Sequence, residues 1–239
     1  MSKLLITAHR GASGLAPENT LAAFRKAIEC NADCAELDVH LSKDGRVVVL
    51  HDDDLDRTTT GKGKVWHHDM SQLLQLDAGS WFGMEFRNER IPTLEQVIEL
   101  CRGNITLNIE IKTNQEQPDL TDRVVQIVRA LNFHKKCVVT SFDIQVIRHI
   151  KKSYPELVAG LILNQNPTPF LDDEGIDLFS VQYAFVSKEF VSKAHQMAKP
   201  VYAWTVDQLS EMKKLIELPV DGIITNFPDR LYKMRSELN

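Results

Sequence analysis

Five side chains able to move a proton or hold a cation stand where short apolar runs stop. His9 closes LLITAHRG, Glu36 and Asp38 lie in CAELDVH, His51 ends VVVLHDD, and Glu110 sits in LNIEIK. A strand is packed along its interior and opens onto solvent at its end, so polar groups placed there are free to react. Carboxylates without a Cys or His among them suit a hard cation, Mg²⁺ or Ca²⁺, rather than zinc. Glu36, Asp38 and Glu110 are therefore the candidate metal ligands. His9 and His51 titrate near neutrality when unperturbed, as general acid/base catalysis requires. The set points to a metal-assisted reaction with two proton-transfer groups.

The neighbours of these residues suggest the substrate. Lys112 shares a strand face with Glu110 because side chains alternate, and Arg10 follows His9 directly. An ammonium and a guanidinium beside a cation site fit a phosphate, whose oxygens accept from both. Pro17-Glu18-Asn19-Thr20 precedes the first helical pattern, where Asn19 or a neighbour would cap the helix. The segment also lies beside His9-Arg10-Gly11, so Glu18 and Asn19 join the substrate-binding candidates. Gln182, Trp204 and Asn226 end later strands; Gln182 is a further candidate, and Trp204 offers an aromatic wall to the carbon skeleton of a small alcohol or glycerol. His40 shares the parity of Glu36 and Asp38 but lies deeper in the hairpin and is read as structural. His67, His68, His134, His149 and His195 fall in helical or loop contexts and are given no chemistry.

Positioning these groups takes a regular scaffold. Short runs rich in β-branched residues, Leu4–Ala8, Ala35–Val39, Leu107–Ile111, Val138–Ser141, Ala159–Leu163, Leu178–Gln182, Val201–Trp204 and Gly222–Thr225, predict strands. Helical spacing predicts helices over Leu21–Glu29, Leu94–Cys101, Leu120–Leu131, Ile144–Lys152, Lys188–Gln196, Leu209–Glu217 and Arg230–Ser236. Such alternation predicts a parallel sheet, and the strand count predicts an α/β fold of (β/α)8 TIM-barrel type.

One further run, Val47–Leu50, breaks the count. Only Leu41 to Arg46 separate it from the Glu36/Asp38 strand, too few for a parallel crossover, so the two must form an antiparallel β-hairpin. A turn centred on Lys43–Asp44 would set His51 opposite Glu36 and gather Glu36, Asp38 and His51 on one face. From Asp53 to Arg90 the barrel pattern lapses into Thr58-Thr59-Thr60-Gly61-Lys62-Gly63, a short helical stretch at Ser71–Leu76, and a segment with Trp81, Phe82 and Phe86. That length of interruption reads as an insertion subdomain of a single domain spanning 1–239.

The 239 residues, 43% of them apolar, suffice for a large core. A net charge of −5 with scattered Lys and Arg argues against a nucleic-acid partner. Cys30, Cys34, Cys101 and Cys137 show no metal or disulfide spacing and read as reduced thiols. Lys3 is followed by too short an apolar run before His9 for a signal peptide, and no run approaches the ~20 residues of a membrane span. The expectation is a cytoplasmic protein without stable membrane association, with a homodimer as the one assembly left open.

HRGASGLAPENTLAAF, ELDVHLSKDGRVVVLHDDDLDRTTTGKG, LDAGSWF, ERIPTLEQV, LNIEIK, VYAWTV and DGIITNFP, taken in this order, resemble the glycerophosphodiester phosphodiesterase family from residue 4 to about 230. The chain's size resembles the bacterial cytoplasmic branch. The resemblance implies a TIM barrel with an insertion, a divalent cation, and hydrolysis of a small-molecule glycerophosphodiester to sn-glycerol 3-phosphate and an alcohol. It carries the family's histidine pair onto His9 and His51, its metal carboxylates onto Glu36, Asp38 and Glu110, its phosphate-binding cations onto Arg10 and Lys112, and its aromatic onto Trp204. His9 as base and His51 as acid is the favoured assignment, and attack by the glycerol 2-hydroxyl or by water both remain open. A lysophospholipase D-like enzyme, a sugar-phosphate enzyme on the same barrel and a non-catalytic barrel are the competing readings.

Overall fold

The computed structural model describes residues 3–237. Its strands are β1 (Leu5–Ala8), β2 (Cys34–Leu41), β3 (Val47–Val49), β4 (Thr106–Ile111), β5 (Cys137–Ser141), β6 (Val158–Leu163), β7 (Leu178–Gln182), β8 (Val201–Trp204) and β9 (Gly222–Thr225). The helices are α1 (Leu21–Glu29), α2 (Met70–Leu73), α3 (Leu94–Cys101), α4 (Leu120–Ala130), α5 (Ile144–Ser153), α6 (Lys188–Gln196), α7 (Leu209–Ile216) and α8 (Pro228–Glu237). All strands but β3 pair in parallel, and β1 bonds both β9 and β2, closing the barrel.

Strand parity divides the side chains into two layers. Ala35, Leu37 and Val39 of β2 and Leu107, Ile109 and Ile111 of β4 point outward into a buried layer shared with Phe24, Val97, Ile98, Val124 and Ile147 of the helices. The intervening residues, including Glu36, Asp38, Asn108 and Glu110, therefore face the barrel axis. No helix forms between β6 and β7, where a single turn at Thr168–Phe170 carries proline on either side of Thr168. Among the described residues no helix is long and apolar enough to cross a membrane.

The hairpin exists, with its register one residue away from the expected one. β2 outruns the barrel: Cys34 and Ala35 pair with β1, while Val39, His40 and Leu41 pair with Val49, Val48 and Val47 of β3. The loop is Lys43-Asp44-Gly45, closed by Ser42 N–H to Arg46 O at 2.9 Å and Gly45 N–H to Ser42 O at 2.9 Å. Gly45 adopts φ +75°, the left-handed residue that a three-residue hairpin loop demands. An odd loop length centres the turn on Asp44, so His51 lies across from Leu37 instead of Glu36. The ladder ends at Val49, which frees His51 from strand alternation, and it reaches the barrel mouth from the loop beyond.

On both sides of His51 the chain contributes to a second small core of Val48, Leu50, Leu55, Val65, Met70, Leu73, Ala78 and Ile91, separate from the barrel layer.

Candidate active site

At the C-terminal end of the barrel strands, His9, Arg10, Glu36, His51, Glu110 and Lys112 line one wall of a cavity of about 90 Å³, and Phe142, Ile162 and Trp204 line the other. That is well below the ~300–1,000 Å³ of pockets that enclose drug-sized ligands. That volume has room for a compact polar group, and anything bulkier would lie at the open mouth. A larger cavity of about 360 Å³ lies at the opposite end of the barrel. Its Cys34 thiol is pushed up to about 12 by burial, so size does not mark the chemistry here.

Oxygens of Glu36, Asp38 and Glu110 lie within 4.8 Å of one another, all three residues buried. Their environments differ. Asp38 pays for burial but faces Lys112 Nζ at 2.9 Å, Arg10 Nε at 3.5 Å and the Asn19 amide at 2.9 Å, and the two cations hold it ionised, well below the usual carboxylate range. Glu36 is raised well above its ordinary value by burial, then by Asp38 and Glu110. Glu110 is raised to about 7 by burial and by Asp38, against the opposing pull of Lys112, with which it is in close contact. Glu36 Oε1 is buried without a hydrogen-bond partner. Three buried carboxylates, one oxygen unpartnered, are paired among the described residues with the two fixed cations Lys112 and Arg10, which makes a site short of positive charge, and an all-oxygen donor set fits a hard divalent cation.

Arg10 owes its place to backbone conformation. It adopts φ +53° and Gly11 φ +76°, a left-handed pair that turns the Arg10 N–H onto Glu36 Oε2 at 2.8 Å. A non-glycine residue in this region is strained, and such strain persists where the surroundings hold it. A Cβ at Gly11 would meet the Ala23 backbone at 2.6 Å, so only glycine lets this loop lie against α1. Arg10 Nη1 donates to Glu18 Oε1 at 2.9 Å. Glu18 also accepts from Arg57 at 2.7 and 2.8 Å, and Arg57 in turn grips Asp52 with Nε at 2.6 Å. Asp52 Oδ1 lies 2.6 Å from His51 Nδ1. Because a carboxylate only accepts, His51 donates through Nδ1 and turns Nε2 to the cavity. The segment after β3 is thereby tied to the β1–α1 loop.

His9 and His51 both titrate below the ordinary histidine value. Burial lowers His9 to about 4, and Arg10 pushes the same way. His51 is lowered first by burial, while Asp38 and its Asp52 partner favour the charged ring. His9 Nε2 stands 4.0 Å from Glu36 Oε2, and His9 Nδ1 lies 2.7 Å from Asn226 Oδ1. His40, fully buried, donates Nε2–H to the His51 carbonyl at 3.2 Å and so braces the loop that carries His51.

The other sequence candidates fall in different places. Asn19 (φ +58°) does not cap α1; Thr20 does, its hydroxyl accepting from Ala23 N–H. Asn19 is buried against Asp38 and Glu18 between two arginines, so both hold charged groups in place and neither lines the cavity. Gln182 pairs with Trp204 in register but also lies off the lining, where Ser180 and Asn108 appear instead. Trp204 is fixed by its indole N–H on Ser180 O at 3.0 Å and stacks edge-on with Phe142 at 5.7 Å. Asp52, Arg57 and Phe142 were not singled out from the sequence. Phe142 follows a strand end in VVTSF as Trp204 ends one, and that was the available signal.

The glycerophosphoryl diester phosphodiesterase family model matches residues 9–230. A glycerophosphodiester phosphodiesterase of Caldanaerobacter subterraneus subsp. tengcongensis is 38% identical over 97% of this chain and 98% of its own length. Among solved structures, an Oleispira antarctica phosphodiesterase in complex with the product sn-glycerol-3-phosphate superposes with a TM-score of 0.88 at 30% identity, covering 98% of this chain and 96% of that one. A glycerophosphodiester phosphodiesterase from Agrobacterium tumefaciens gives a TM-score of 0.86 at 28% identity, covering 96% and 99%. The match spans the barrel, the hairpin and the segment beyond it, and the chain belongs to the glycerophosphoryl diester phosphodiesterase family.

Proposed function

We propose that this protein hydrolyses glycerophosphodiesters to sn-glycerol 3-phosphate and an alcohol, with a hard divalent cation held by Glu36, Asp38 and Glu110. The observation that carries this reading is one small cavity lined by Glu36 and Glu110 of a buried carboxylate triad, by two fixed cations and by two histidines. The cation would act as a Lewis acid on the phosphoryl group and favour ionisation of a nearby hydroxyl. Arg10 and Lys112 bind phosphoryl oxygens and offset the charge that builds on them. His9, neutral at pH 7 because burial holds it at about 4, takes the proton of the nucleophile. His51, backed by Asp52, donates from Nε2 to the departing alkoxide, so one proton is taken up as another is released. Attack by the glycerol 2-hydroxyl forms a cyclic phosphate that water opens with the histidines exchanging roles; attack by water needs a single pass. Trp204 and Phe142 cover the glycerol carbons. We further take the protein to be a cytoplasmic single domain in which 53–90 forms an insertion subdomain.

The open mouth places the alcohol in solvent. Glycerophosphocholine, glycerophosphoethanolamine and glycerophosphoglycerol should therefore have kcat/KM values within about tenfold, a spread of ~1.4 kcal/mol. A second reading rests on the exposed Trp81, Phe82 and Met84 of the 53–90 segment, an apolar surface suited to a lysophospholipid. Assaying glycerophosphocholine, lysophosphatidylcholine and a sugar phosphate in parallel separates the readings. Turnover of the first alone fits the proposal, preferred turnover of the second favours the lysophospholipase D reading, and turnover of the third alone overturns both.

The charge deficit also has a stability signature. Glu110 rises from an ordinary 4.5 to about 7 in the folded chain, and Glu36 shifts the same way. The folded state thus keeps protons that the unfolded chain releases. The stability tied to these groups is present below 4.5 and is lost as pH rises through about 7. A bound cation removes that penalty. The rise in Tm on adding Mg²⁺ or Ca²⁺ to chelated protein should accordingly be several degrees larger at pH 8 than at pH 5, at about 2–4 °C per kcal/mol for this size. An equal rise at both pH values would count against the triad as the binding site.

A further inference from the structure

A histidine can act as a base only through the nitrogen that faces its substrate, and only if that nitrogen lacks a proton. For His9 the neighbouring groups decide which nitrogen this is. Asn226 follows β9, and Asp207 lies in the loop after β8. Asp207 Oδ1 accepts from Asn226 N–H at 2.9 Å and from the Thr225 hydroxyl at 3.1 Å, and its Oδ2 lies 2.6 Å from Asn226 Nδ2. The Asn226 carbonyl accepts from Gly14 N–H at 2.9 Å. A carboxylate has no proton to give, so the amide nitrogen of Asn226 must face Asp207 and its oxygen must face away. That oxygen receives the Ser13 hydroxyl at 2.6 Å and meets His9 Nδ1 at 2.7 Å. An amide oxygen only accepts, which leaves Nδ1 to carry the hydrogen and Nε2 to carry the lone pair.

We propose that Asp207 is a positioning residue that acts through Asn226 to hold His9 in its Nδ1–H tautomer, with Nε2 free to accept a proton in the cavity. The inference rests on the assignment of His9 as base. It differs from a purely structural role, in which Asp207 would tie the β8–α7 loop to the end of β9. Asparagine at 207 keeps the Oδ1 acceptor for Asn226 N–H and Thr225 and so preserves the tie. What it changes is the second atom, from an acceptor to an NH₂ group. Two amide nitrogens cannot face each other, so Asn226 turns over and offers its own NH₂ to His9 Nδ1. The ring then moves its proton to Nε2, the wrong end.

The test compares wild type, Asp207→Asn and the exchange Asp207→Asn/Asn226→Asp. In the exchange, the amide placed at 207 donates to one oxygen of the carboxylate placed at 226, and the other oxygen again accepts from His9. Asp207→Asn should lower kcat on glycerophosphocholine by on the order of 10²–10⁴, the usual worth of a proton-transfer group, with KM within about threefold. The exchange should recover kcat to within about tenfold of wild type. Long-range ¹H–¹⁵N correlation of the His9 ring in metal-free protein gives a readout independent of turnover: protonated Nδ1 in wild type and in the exchange, protonated Nε2 in Asp207→Asn. A wild-type ring protonated on Nε2, an unchanged tautomer in Asp207→Asn, or an exchange as slow as the single variant would overturn the proposal. Reversal of the tautomer with undiminished kcat would instead remove His9 as the base while leaving the relay through Asn226 standing.

Discussion

Truncating His51 to alanine is expected to slow release of choline, ethanolamine and glycerol by on the order of 10²–10⁴, and to slow release of p-nitrophenolate far less. An alkoxide of high pKa needs a proton as it departs, whereas p-nitrophenolate is stable without one. His9→Ala should slow both classes alike, because the nucleophile has to lose its proton whatever leaves. The assignment comes from what stands behind each ring. Asp52, itself held to about 2 chiefly by its Arg57 contact, backs His51 and pulls it toward the protonated imidazole of an acid, against the burial that sets its net value below the ordinary one. His9, backed by the neutral amide of Asn226 and buried beside Arg10, stays unprotonated at pH 7 as a base must. Steady-state rates for both variants on glycerophosphocholine and a glycerophospho-p-nitrophenyl ester decide the matter. If His9→Ala is the variant spared by p-nitrophenol, acid and base are exchanged.

Much of this arrangement was legible in the chain because it is local. The strand and helix runs repeat with periods of two and 3.6, which placed each barrel strand to within about two residues. Glu36, Asp38, Glu110 and Lys112 could be grouped because parity along β2 and β4 puts them on one face. What failed depended on loop geometry. The hairpin register slipped by one because Gly45 adds a left-handed third residue to the loop, a conformation that the spacing of apolar residues does not report. The cap expected at Asn19 or a neighbour falls on Thr20, because the positive φ of Asn19 turns its amide onto Asp38. The relay behind His9 could not be read at all: Asn226 lies 217 residues away in sequence, and only closure of β9 on β1 brings them together. The Asp52–Arg57–Glu18 chain likewise joins segments that the sequence gives no reason to pair.

If Glu36, Asp38 and Glu110 hold the proposed cation, their ionisation costs stability when the site is empty and serves activity when it is filled. Glu36→Gln keeps the shape of the side chain, and its amide oxygen can still accept the Arg10 N–H now held at 2.8 Å. The NH₂ group replaces an oxygen where a cation needs a donor, and it can hydrogen-bond to Asp38 or Glu110. The chelated variant should therefore melt above chelated wild type at pH 8, since a carboxyl that resists ionisation in the folded chain has been removed. Added Mg²⁺ or Ca²⁺ should no longer raise its Tm. A metal contributes several kcal/mol of transition-state stabilisation, so kcat/KM should fall by more than ~10³.

Hydrolysis of the glycerophosphodiester is proposed to depend on a hard cation held by Glu36, Asp38 and Glu110. The most direct test follows release of sn-glycerol 3-phosphate from glycerophosphocholine by wild-type protein stripped with EDTA and then titrated separately with Mg²⁺, Ca²⁺ and Zn²⁺. No turnover is expected in excess chelator, and Mg²⁺ or Ca²⁺ should restore it. Full turnover in excess chelator, or recovery with Zn²⁺ alone, would contradict the proposal.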